Sequence, residues 1–71
     1  MKWYIIDDCT TKKGAIYTEE IHGDPREALT AAWDALTEHD KAARDSFFAA
    51  LCETDEDGSP IWWEAVETIN L

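Results

Sequence analysis

The chain has 71 residues, 45% of them apolar, and sets 16 acids against six bases for a formal net charge of −10. That sign excludes direct nucleic-acid binding, which needs a cationic footprint on the phosphates, and disfavours an anionic membrane surface. No apolar run is long enough to span a bilayer, and so short a chain makes one domain, residues 1–71, burying only about 60% of the surface its unfolded form exposes.

Lys2–Asp7 reads as a strand. Trp3, Tyr4, Ile5 and Ile6 are aromatic or β-branched and put apolar groups on both faces, as in an interior strand. Four apolar residues between Lys2 and Asp7 are too few for a secretory signal, so a cytoplasmic setting is expected. Free thiols at Cys9 and Cys52 fit that setting better than a disulfide. Cys9–Gly14 reads as a turn in which Gly14 can take positive φ. Ala15–Ile21 reads as the hairpin partner of the first strand, weakened towards a sheet edge by Thr18, Glu19 and Glu20. His22 and Gly23 close it.

A helix with a defined start follows. Asp24 is a good N-cap, Pro25 falls where a missing N–H costs nothing, and Glu27 completes an acidic capping pattern that suits the helix dipole. Ala28, Leu29, Ala32, Trp33 and Leu36 recur at helical spacing and form one apolar face, with Arg26, Thr30 and Asp34 off it. Thr37 can cap a second, shorter helix, with Asp40 three residues on and the helix running through Arg44. Phe47–Thr54 fits a helix by its alanines and its i,i+4 pairs, and a strand equally well by its length before an Asp-Gly turn. Asp55–Pro60 is a turn. As a strand, Ile61–Leu71 places Ile61, Trp63, Ala65, Ile69 and Leu71 on one face. As a helix, it aligns Trp62, Ala65, Val66 and Ile69. Its β-branched and aromatic content favours the strand.

The stretch Leu36–Gly58, behind Glu27-Ala28-Leu29 and an opening aromatic–Ile–Ile strand, resembles a group of small acidic proteins of gut-bacterial genomes and mobile elements. The resemblance implies a ββααββ order, with the segment matching Phe47–Thr54 a strand, and a bacterial or mobile-element setting. It carries no activity to transfer. The fold expected is therefore α+β: a four-stranded, mostly antiparallel sheet with both helices on one face.

The sharpest chemical motif is a cation loop. Starting from Glu53, the residues Asp55, Asp57, Gly58 and Glu64 fall at the third, fifth, sixth and twelfth positions of the calcium-loop pattern. Glu53 stands where that pattern wants Asp, Pro60 removes an N–H from the strand that would pair two loops, and there is no second loop. No metal site is assigned. His22 and His39 each stand alone, and the adjacent pairs Asp7/Asp8 and Glu19/Glu20 point to opposite faces of a strand. No nucleophile, phosphate-loop or zinc spacing is present. No enzyme activity and no cofactor are expected.

Charge and aromatic content point instead to a protein partner. Residues 47–71 hold six acids and no Lys or Arg. If Ile61–Leu71 is a strand, Trp62 and Trp63 face opposite ways: one belongs to the core, and Trp62 either stands on the surface as a binding aromatic or packs over a neighbouring strand and covers a small core. The expected partner site is Trp62 with Glu53, Asp55, Glu56, Asp57 and Glu64, offered to a basic protein surface. Two alternatives stand beside this non-enzymatic binding module. One is a nucleic-acid mimic of the anti-restriction or anti-CRISPR kind, which needs carboxylates in spaced rows. The other is the divalent-cation loop.

Overall fold

The computed structural model describes residues 1–9 and 16–71. Elements run in the order β1 (Lys2–Cys9), β2 (Ile16–Glu20), α1 (Pro25–Asp34), α2 (Glu38–Ala42), β3 (Arg44–Cys52), a 3-10 turn (Trp62–Glu64) and β4 (Glu67–Asn70). The four strands form one antiparallel sheet in the order β2-β1-β3-β4. This is an α+β fold, and β1 and β3 are its interior strands. The turn expected at Cys9–Gly14 lies almost wholly outside the described residues, and with it the positive φ expected of Gly14.

Local chemistry sets the helix starts. Asp24 Oδ1 accepts a hydrogen bond from the Glu27 amide at 2.9 Å, and Thr37 Oγ1 accepts from the Asp40 amide at 3.1 Å. Each satisfies one donor that the first turn of a helix leaves unpaired. α2 ends at Ala42 because the chain must turn extended at Arg44 to enter β3.

The sheet is covered on both faces. On one, Ile5, Ile21, Leu29 and Ala49 form a buried cluster under α1, flanked by Trp3, Ala28, Ala32, Phe47 and Ile69. Leu29 is the fully buried anchor of that helix. Trp33 sits at the margin, 5.3 Å from the Phe47 ring and under the Lys41 ammonium at 5.7 Å. On the other face, Tyr4, Ile6, Ala50 and Cys52 are buried beneath Trp62, Ala65 and Phe48.

β3 resolves the ambiguity of Phe47–Thr54 in favour of a strand. Ala49 and Ala50 are helix formers, yet both are wholly buried. A small side chain on each face of an interior strand lets Leu29 approach on one side and Trp62 on the other. Tertiary packing here overrides propensity.

The expectation that Ile61–Leu71 forms one strand is corrected. Thr54 bridges Pro60, and the Ile61 amide donates to the Glu53 carbonyl at 2.9 Å. The ladder resumes only where the Val66 amide donates to the Leu51 carbonyl at 3.0 Å, and Leu51 then pairs with Glu67. Residues 62–65 are thus looped out of the ladder as a 3-10 turn, which lays Trp62 across the sheet face opposite α1. That face would otherwise expose Tyr4 and Ile6 to water. A continuous strand would have kept backbone pairing but left the face bare, and burying apolar area is the larger gain. The expected α+β class with a four-stranded antiparallel sheet and two helices holds, and the exact ββααββ order does not, because the 3-10 turn breaks the last segment and leaves only the short β4.

Candidate partner-binding surface

The acidic hairpin is built by its own side chains. Asp55 Oδ1 accepts from the Asp57 amide at 2.9 Å and from the Ser59 amide at 3.0 Å. The Asp55 amide donates to the Ser59 carbonyl, the Gly58 amide donates to the Asp55 carbonyl, and Gly58 takes φ +84°, a left-handed value that favours glycine. Asp55 is therefore a turn-forming residue, and its carboxylate is turned towards backbone amides. Glu53 Oε2 lies 3.7 Å from the Met1 ammonium, and Glu56, Asp57 and Glu64 are exposed. Among the described residues no three acids, histidines or cysteines gather as metal ligands.

Of the two placements open to Trp62 the structure takes the packed one, and Trp63, expected on the core face, is the exposed tryptophan, so the partner site expected at Trp62 is corrected. Trp62 is half-buried over the Tyr4–Cys52 cluster, its ring edge-on to Phe48 at 6.2 Å. Trp63 is 65% exposed and meets Trp62 edge-on at 5.6 Å. The reason is the 3-10 turn: at about three residues per turn, successive side chains fan out around the axis instead of alternating across a sheet. Trp62 and Ala65, joined by the turn's own hydrogen bond, pack on the core, while Trp63 is exposed, as is Val66 where the chain re-enters the ladder. The three-residue spacing of Trp62 and Ala65 is the sequence signal for this arrangement. It is a helical signal inside a segment whose composition reads as strand.

The remaining polar groups have structural roles. Arg44 Nε lies 2.7 Å from Asp7 Oδ1, both side chains largely buried, and Arg44 Nη1 also donates to the Asp40 carbonyl and to Cys9 Sγ. This ties the start of β3 to the far end of β1 and to α2. His22 pairs with Glu20 at 3.2 Å on the surface, and Lys2 reaches the same carboxylate. Cys9 and Cys52 are buried, and neither is in a disulfide. Cys52 pairs in register with Lys2, and Cys9 with Arg44. The length of β1 separates them, about 23 Å at 3.3 Å per residue, far beyond disulfide reach. Burial, reinforced by the Glu53 charge, pushes the Cys52 thiol pKa up.

No family model, curated protein or solved structure matches this chain. Among the described residues no helix is long and apolar enough to cross a membrane.

Proposed function

We propose that the chain is a non-enzymatic protein-binding module, working in a bacterial cytoplasm or within a mobile element, that docks a basic protein surface. Its anchor is Trp63, with the exposed Val66 three residues on, where the chain leaves the turn. The acidic surround is Glu53, Glu56 and Asp57 of the hairpin that Asp55 shapes, and Glu64, next to Trp63 in the 3-10 turn. One observation carries this reading: a tryptophan is left 65% exposed in a small domain that gains most from burying its aromatics. Exposed aromatics beside charge are what binding hot spots use. The acidic surface steers encounter, and the desolvated indole holds the complex once formed.

The test is capture from bacterial lysate with wild-type, Trp63→Ser and Glu56→Gln/Asp57→Asn baits, followed by kinetics with the purified partner. The reading requires one stoichiometric partner. Its release should be faster from Trp63→Ser, and its association with the charge variant should be slower and less salt-dependent. A partner held equally by all three baits would refute it. If that partner is a nucleic-acid enzyme and duplex DNA competes with the module, the narrower mimic reading applies.

A further inference from the structure

β2 is the least covered strand of the sheet. One side pairs with β1, and among the described residues nothing pairs with the other. Ile16 and Tyr17 are 41% and 48% exposed, and Thr18 and Glu19 are exposed with them. Edge strands are commonly blunted by Lys or Pro, and Ile16–Glu20 contains neither. Tyr17 shares a sheet face with Asp7, and Glu19 with Ile5, which is the face that carries α1. There a groove of about 360 Å³ opens between α1 and β2. Ala32 of α1 and Leu36, just past the end of that helix, form one wall, Ile5 and Phe47 its floor, and Tyr17 and Glu19 its outer rim. Asp7 also lines it, paired to Arg44.

We propose that the open edge of β2 takes an extended segment of a partner protein as a fifth strand, and that this segment alternates apolar and cationic residues. Strand addition supplies main-chain hydrogen bonds, and alternate side chains supply selectivity. On the groove side, an apolar residue beside Tyr17 reaches the Ile5–Leu36 hollow. A Lys or Arg two positions along faces Glu19, since a strand repeats its faces every second residue. Charge selects the occupant. A net charge of −10 attracts a cationic segment and repels a second copy of the same chain. The site goes beyond the Trp63 surface and does not depend on it, because Trp62 packs on the opposite sheet face.

The probe is a dye-labelled peptide of alternating valine and lysine, titrated at physiological salt by fluorescence anisotropy and by amide chemical shifts. Saturable binding is expected, with shifts centred on Ile16–Glu20 and on the facing wall at Ala32 and Leu36. N-methylation of alternate peptide amides, which blocks strand pairing but keeps the charge, should weaken binding at least tenfold. Glu19→Lys, a change on the exposed edge that spares the core, should do the same, as should Leu36→Glu where thermal unfolding shows that variant folded. Trp63→Ser should leave the peptide affinity unchanged. The proposal is overturned by equal binding of the methylated peptide, by shifts confined to Glu53–Glu64, by absence of binding, or by sedimentation showing that β2 pairs with β2 of a second copy.

Discussion

Replacing Trp62 and Trp63 separately by alanine should give sharply different stabilities. Trp62 covers Tyr4, Ile6, Ala50 and Cys52 and meets the Phe48 ring, whereas Trp63 is mostly in water. A half-buried tryptophan withdraws about 100–150 Å² of apolar surface, worth about 3 kcal/mol at 25 cal/mol per Å². Truncation also opens a gap above Ile6 and Cys52 that the rigid sheet beneath closes only in part. For a domain of this size 1 kcal/mol moves the melting temperature by about 4–8 °C, so Trp62→Ala should melt about 12–24 °C lower. Trp63→Ala forfeits only its edge contact with Trp62, below about 1 kcal/mol. Circular dichroism melts of the two variants at equal concentration make the comparison. Equal losses, or a larger loss for Trp63→Ala, would refute the placement of residues 62–65 as a turn folded over the sheet.

Breaking the Arg44–Asp7 pair with Arg44→Ala should cost about 2–3 kcal/mol in urea unfolding, because it strands a largely buried carboxylate, while Asp7→Leu with Arg44→Met should be nearly neutral. Asp55→Ala should cost about 1 kcal/mol through the two amides it leaves unpaired, and calcium titration of the wild type followed by tryptophan fluorescence should show no saturable change below millimolar. Cys52 predicts a pH dependence. Its folded-state pKa is raised, so the folded chain keeps a proton that the unfolded chain has released. Its contribution is therefore full below the ordinary thiol range and is lost as pH rises through and above it. Urea midpoints measured across that range should fall more steeply for wild type than for Cys52→Ala.

Features coded by neighbouring residues were legible in the sequence. Asp24 with Glu27, and Thr37 with Asp40, announce helix starts through contacts three residues apart, and both caps form. Asp55–Gly58 announces its turn the same way. Features coded by contacts distant in sequence were not. Ala49 and Ala50 read as helical until α1 and Trp62 are placed on either side of them. Trp33 reads as the anchor of α1 by size, yet Leu29 holds that position because it faces the centre of the sheet and Trp33 its margin. The placement of Trp62 and Trp63 has the same origin. Nothing local says that four residues must leave the ladder to roof the second sheet face. The acidic hairpin was legible as charge, but the commitment of the Asp55 carboxylate to the turn required the backbone geometry.

The central claim is that Trp63, not Trp62, is the residue through which this module holds a basic partner. The most direct measurement is the dissociation rate of the captured partner from wild type, Trp63→Ser and the fold-preserving Val66→Ser. A desolvated tryptophan anchor is worth about 2 kcal/mol or more, so release from Trp63→Ser should be about thirtyfold faster, with a smaller rise for Val66→Ser and unchanged melting temperatures. Release rates unaltered by Trp63→Ser, from a variant that melts like the wild type, would contradict the account.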